Sequence, residues 1–280
     1  MSTTTAAPPS VPGALSGSGA PTGPGAPSGF DALVAEVYAR FGAGFPLLRI
    51  TTTPVAGEGW LTGQALAQDA ALREQLVSRQ GERMRAAKGA APRRDVAALE
   101  VLHQYAFIAS LAMSAPWYLE QRVPQLAPGG VGYHEGRGLL TLAPHAVSCL
   151  PGDPAASVPG VRVVPDAQAL RAELRSAVAA HLAPVLAAFG PLLRRGPRGL
   201  WGVATDELAD GLGYLGDLLG DRAGAAAAAN LLLPGDTPPF AGAAGFPLTD
   251  GDAGCRTRLN CCLYYTFEGQ PLCAGCPRQR

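Results

Sequence analysis

The residues best equipped for chemistry lie at the C-terminal end, in NCCLYYTFEGQPLCAGCPRQR. Cys261 and Cys262 are adjacent, ten residues follow, and Cys273 and Cys276 form a C-x2-C. Four of the chain's six cysteines within sixteen residues is the pattern of a metal site. Neighbouring side chains on an extended backbone point to opposite sides. One small tetrahedral ion gripped by both members of the doublet would therefore require a tight turn. A two-iron cluster spreads its ligand positions further apart and accepts a doublet more readily. All-thiolate sites host zinc or iron–sulfur clusters, so the residues alone leave a [2Fe–2S] cluster and a zinc ion as alternatives.

The other candidate ligands are scattered. Cys255 lies just upstream of the doublet, but the four-cysteine spacing is complete without it, and it is read as a bystander. His134, His145 and Cys149 form no recognised metal spacing with His103, and no chemistry is assigned to them. His103 and His181 sit on helical patterns and are expected to be hydrogen-bonded structural histidines.

The C-C-x10-C-x2-C block, followed by Pro277, resembles the cluster motif of the ferric siderophore reductases of the FhuF type. The text around it is similar too: RTRLNCCLYY from Arg256 to Tyr265, LWGVATDELADGL from Leu200 to Leu212, and the central AALEVLHQYAFIASLAMSAPWYLEQRVP. The likeness covers roughly residues 30–280. Asn260 stands where a serine often precedes the cysteine pair, and Val203 where some members carry asparagine. Neither departure touches a ligand position.

The resemblance implies an enzyme that transfers one electron to siderophore-bound Fe(III), with a [2Fe–2S] cofactor on Cys261, Cys262, Cys273 and Cys276. It favours the cluster over zinc and leans toward hydroxamate siderophores. The chemistry is coherent, because ferric iron is held by hard oxygen donors and the softer ferrous ion is held less well. An electron donor such as a ferredoxin or flavodoxin is expected, with Arg256 and Arg258 offsetting cluster charge and steering an acidic donor. Two other classes stay open: an iron–sulfur redox or iron sensor without turnover, and a binding protein with a structural zinc.

Twenty-two basic and twenty-two acidic side chains give a net charge of zero, which argues against nucleic acid as a partner. No signal peptide is visible, and no run of about 18 apolar residues suggests a transmembrane segment. Clustered cysteines also suit a reducing compartment, so a cytoplasmic protein is expected.

The elements that must position the cysteines are mostly helical. Residues 1–29 read as a disordered Ser/Pro/Gly/Ala-rich tail. Residues 30–250 read as a helix-rich body, and 251–280 as the cluster-binding segment. A capping-box-like Ser28 and Asp31 open the first helix, and LLRI and GEGW precede a helix over QALAQDAALREQLVSR. Trp60 is expected to plug the core, and Gly81–Arg94 to be a basic loop, with a docking face as its functional reading. Pro92 opens a long helix that Pro116 should end.

VGYHEGRGLLTL reads as a β-hairpin, with His134 exposed beside its turn. Asp166 caps the next helix, and a second basic cluster, RRGPRG, precedes the LWG helix. Trp201, Ala204, Leu208, Leu212, Leu215 and Leu219 form that helix's core stripe, with Asp206 and Asp210 left to solvent. DRAGAAAAANLLL supplies the last helix. Leu263, Tyr264, Tyr265, Phe267 and Leu272 form an apolar shell between the cysteine pairs. The expected fold class is α+β, predominantly α-helical, with a small β-hairpin element and a C-terminal cysteine-rich segment.

Overall fold

The computed structural model describes residues 29–43, 49–53, 57, 59–247, 256–267 and 269–279. The expected tail as far as Ser28, and Leu47, Leu48, Glu58 and Cys255, lie outside the described residues. In chain order the elements are α1 (Phe30–Ala43), β1 (Arg49–Thr51), β2 (Leu61–Thr62), α2 (Gly63–Gln68), α3 (Ala70–Lys88) and α4 (Arg94–Glu120). Then come β3 (Val123–Gln125), β4 (Val131–His134), β5 (Leu139–Leu142), β6 (Ala146–Cys149) and β7 (Val161–Val163). The C-terminal half holds α5 (Ala167–Leu193), α6 (Pro197–Leu219), α7 (Arg222–Leu232), β8 (Pro234–Gly235) and β9 (Gly242–Ala243). Helices dominate three small sheets, as the α+β expectation required.

Short polar side chains set the helix starts. Thr62 accepts from the Ala65 N–H at 3.1 Å, Asp69 from Leu72 at 2.9 Å and Asp166 from Ala169 at 2.8 Å. The Asp69 cap divides into α2 and α3 what the sequence reading took as one helix. The expected loop over Gly81–Arg94 is helical as far as Lys88, because α3 runs through Gly81. At Gly81 a Cβ would meet Pro92 at 3.8 Å and Ala97 at 3.9 Å, so α3 lies close against the start of α4 there. Pro116 does not end α4, which continues to Glu120. It is buried with its neighbours Ala115 and Trp117, and that packing outweighs the amide bond it removes. Gln121 closes the helix at φ 56.

The predicted hairpin is β4–β5, paired from Val131↔Leu142 to His134↔Leu139. It sits inside a four-stranded sheet ordered β1-β5-β4-β2, and a second sheet is ordered β3-β6-β7. His134 is half-buried rather than exposed, its ring edge-on to Trp60 at 5.3 Å. Trp60 is likewise half-buried, and does not plug the core. Leu219, assigned to the α6 stripe, is 49% exposed at the helix end.

α4 is the central element and packs on α3, α5 and α6. Leu99, Leu102, Ala106, Ala109 and Met113 are essentially inaccessible along it. His181 on α5 is buried and satisfied as expected: its Nδ1–H donates to the Leu126 carbonyl at 2.9 Å, and Nε2 accepts from the Tyr105 hydroxyl at 2.7 Å. By length and hydropathy alone, α4 and α5 would pass as membrane spans, contrary to the sequence reading. In this fold 72% of the apolar window of α4 is buried inside the protein, as in a core helix, against 44% of that of α5.

Candidate metal centre

Among its described residues the cysteine segment has almost no regular structure of its own, only 3-10 turns at Tyr264–Thr266 and Pro277–Gln279. Side chains of the helical body must therefore fix its shape. The main anchor is Asp206 on α6. Its Oδ1 accepts from Arg256 Nη2 at 3.0 Å and from the Leu259 N–H at 2.9 Å, and its Oδ2 from the Asn260 N–H at 2.8 Å. Arg256 also donates from Nη2 to the Asp206 carbonyl at 2.7 Å, from Nη1 to the Ala244 carbonyl at 3.1 Å and from Nε to Asp210 at 2.6 Å. Asp206 is fully buried and Arg256 is 4% exposed.

Two sequence expectations are corrected by this. Asp206 is not solvated, and Arg256 cannot steer a partner because its charge is consumed inside the protein. The hint available in the sequence was an acidic i, i+4 pair, Asp206 and Asp210, on a helix that otherwise buries apolar residues.

A second anchor comes from the RRGPRG stretch. Arg195 donates to Asn260 Oδ1 at 2.6 Å and to the Cys261 carbonyl at 2.8 Å, a planar fork gripping the residue before the doublet and the doublet's own backbone. The segment lies flush on α6 at Gly202, where a Cβ would meet Asn260 Nδ2 at 2.5 Å. That contact accounts for the glycine in LWG. Val203 is buried in the core and has no part in the site. On the other flank, the Tyr264 hydroxyl donates to Glu100 of α4 at 2.9 Å, and Lys88 at the end of α3 donates to Gln270 at 3.2 Å.

These anchors bring the four cysteines together. The Arg258 N–H donates to the Gly275 carbonyl at 3.0 Å, drawing the C-x2-C against the doublet. Leu263 adopts a left-handed conformation (φ 64), a costly choice for leucine that turns the chain just after the doublet. Cys262 and Cys273 then stand 3.8 Å apart and Cys261 and Cys276 3.9 Å apart, with Cys273 also beside Cys276. Two thiolates on one tetrahedral metal with bonds of about 2.3 Å would stand about 3.8 Å apart. Among the described residues, no three His, Cys, Asp or Glu side chains converge as if around a single ion.

Burial grades across the site, with Cys276 buried, Cys261 and Cys262 half-buried and Cys273 exposed. Although one side of Cys273 reaches solvent, partial desolvation together with Cys262 and Cys276 close by pushes its thiol up to about 11. Cys261 is raised by burial and its neighbouring thiols, although the Leu263 N–H donates to its sulfur at 3.4 Å. Crowded sulfurs that resist ionising together become thiolates when a cation compensates them. The donor set is therefore that of a thiolate metal centre, and its chemistry admits zinc as well as an iron–sulfur group.

Phe267 is buried, with Tyr264 edge-on at 6.0 Å, and Leu263 and Tyr264 pack on the core, as the apolar-shell reading expected. Leu272 is 37% exposed and does not belong to that shell. Arg258 pairs with Asp210 beside this segment. His103 contacts Glu207 through Nδ1, but its Nε2 is buried without a partner among the described residues, so it is only half-satisfied. Cys149 lies buried in β6, and His145 is exposed.

No family model and no curated protein matches this chain.

Elsewhere on the body, α3, α4, β2 and β4 line a groove of about 470 Å³ to which no described residue of the cysteine segment contributes. Trp60, Leu76, Tyr105, Ile108 and Tyr133 supply apolar walls, and Arg79 and Gln104 polar ones. Gln104 donates to Glu100 at 3.0 Å, and Glu100 in turn holds Tyr264, two residues from Cys262.

Proposed function

We propose that this protein is a ferric siderophore reductase of the FhuF type, working in the cytoplasm with a [2Fe–2S] cofactor on Cys261, Cys262, Cys273 and Cys276. The observation that carries the reading is the arrangement of the four sulfurs with contacts at 3.8 and 3.9 Å, each at the spacing of two thiolates on one tetrahedral metal. Cys273 also lies beside Cys276, so the contacts describe one compact thiolate set, and it is the C-C-x10-C-x2-C spacing that favours a [2Fe–2S] group over a single zinc. When bound, the cluster supplies one-electron transfer.

The chain's own residues do the rest. Asp206, Arg195 and Asn260 hold the doublet in place. Leu263, Tyr264 and Phe267 keep water from the side facing the body. Exposed Cys273 leaves an edge that substrate and donor can approach. The groove has a volume within the range of small-molecule sites, and its apolar walls suit a compact neutral complex such as a ferric hydroxamate. Reduction there weakens the hold of hard oxygen donors on the iron, which leaves as Fe(II).

The test is an absorption spectrum with iron and acid-labile sulfide assays on anaerobically purified protein, beside a Cys273→Ser variant. Equal iron and sulfide, bleached by dithionite and lost in the variant, supports the reading. Reoxidation of the reduced protein by a ferric hydroxamate, and not by unrelated oxidants of similar potential, then separates a reductase from a sensor. A colourless protein holding one zinc would end the reading.

A further inference from the structure

Two basic stretches, separated by a hundred residues of sequence, meet in space beside the cysteine segment. Arg93 and Arg94, at the start of α4, and Arg194, just past the end of α5, line one cleft of about 580 Å³ with Pro191, Leu192 and Asp95. Three guanidinium groups thus face one lining carboxylate. Asp95 is held by Arg93, and its carboxyl is kept below the usual range: burial alone would raise it, but Arg93 and the more distant Arg194 outweigh that. Glu74 meets Arg94 from α3. The positive end of the α4 dipole adds to the excess.

The cleft abuts the candidate metal centre. Arg195, next to Arg194, donates to the Cys261 carbonyl at 2.8 Å and feels the charges of Asp95 and Arg278. Arg278, two residues past Cys276, lies over the Tyr265 ring at 4.6 Å, and Arg93 feels that same tyrosine from the cleft side. A positive surface therefore runs from the cleft to the cysteine segment.

The side chains of Arg93 and Arg94 are 53% and 60% exposed. Solvent-exposed charges already engaged by carboxylates grip a small anion poorly, while the net positive excess attracts a large opposite charge over distance. We propose that this cleft is the docking surface for a protein electron donor with an acidic face, a role that rests on the redox reading above. Docking here sets the donor against the cysteine segment. One electron leaves the donor's reduced centre for the cysteine-held group, and no covalent bond forms or breaks. The position replaces the one expected at Arg256, whose charge is buried.

The test uses the reconstituted full-length protein and an acidic plant-type ferredoxin as probe. Binding is followed by interferometry and electron transfer by stopped flow, from low to high salt. An Arg94→Glu/Arg194→Glu double variant should lose about tenfold or more in association rate at low salt, with wild type converging on it as salt rises. Arg94→Gln/Arg194→Gln should fall between them. Arg162→Glu/Arg222→Glu, the same charge change on β7 and α7, should match wild type.

Equal association by the double variant and wild type overturns the proposal, as does binding insensitive to salt. So does a double variant that binds ferredoxin normally but handles an anionic ferric complex such as ferric citrate less well, which would assign the cleft to substrate. The two readings fail separately. A colourless wild type that still binds ferredoxin through these arginines removes the reductase and leaves the docking surface.

Discussion

Arg256 Nη2 donates both to the carboxylate of Asp206, at 3.0 Å, and to its backbone carbonyl, at 2.7 Å, with neither side chain open to solvent. This pair joins a segment without regular structure to the most buried face of α6. Breaking a buried ion pair from one side leaves an uncompensated charge, at about 3–5 kcal/mol. Asp206→Ala also strips the Leu259 and Asn260 amides of their acceptor. Chemical denaturation should show a loss of that size, and purified protein should carry little iron. A variant with wild-type stability and iron content would refute the anchoring role.

Gly202→Ala separates the body from the segment. Alanine favours a helix interior over glycine by about 1 kcal/mol, so α6 itself should not weaken. Its methyl group, however, would occupy the place of Asn260 Nδ2, 2.5 Å away, which Asp206 and Arg195 keep from moving aside. The expected outcome is an undiminished melting temperature for the apo-protein with faster iron loss to a chelator. Unchanged iron retention would mean that the close approach is incidental.

Arg195 tests the second anchor. Partners that orient metal ligands typically matter by about 10- to 100-fold in metal affinity. Arg195→Ala should shift chelator competition by that range. Arg195→Lys should recover only part of it, because one ammonium cannot reproduce the fork that spans Asn260 Oδ1 and the Cys261 carbonyl. Full rescue by lysine would reduce the contact to simple charge.

His181 gives a pH signature. Burial lowers its pKa, against the opposing pull of the Leu126 and Ala127 carbonyls. The unfolded chain takes up a proton near the ordinary histidine value of about 6.5 while the folded protein does not, so acid favours unfolding. The stabilisation from neutral His181 is complete above that value and is lost as pH falls below it. Melting temperatures measured from pH 7.5 to 5.5 should decline for wild type. His181→Gln should start lower and decline less. Parallel curves would show that His181 does not titrate on unfolding.

The sequence reached the parts whose physics is local. The helical stripes of α4, α5 and α6, the Asp166 cap, the β4–β5 hairpin and the α+β class follow from periodicity and turn chemistry within a few residues. Burial of His181 was legible because it sits on such a stripe. The spacing of the cysteines singles them out as candidate ligands, because it is a property of one short stretch of chain.

Local reading failed where a distant partner decides. Pro116 stays inside α4 because the core packs around it on every side. Gly81 stays inside α3 because Val77, Gln80 and Met84 around it are buried and hold the helix on the body. Asp206 and Asp210 looked like a solvated face because their partner, Arg256, lies about fifty residues further along the chain. For the same reason Arg256 looked free to steer a donor. The sequence alone determined which four sulfurs are available and roughly which helices carry them. Only the tertiary structure decided that the four sulfurs come together, which arginines are spent inside the protein, and that Arg93, Arg94 and Arg194 meet at one cleft. Spacing along a chain constrains contacts within an element, whereas the pairing of charges from separate elements depends on how those elements pack.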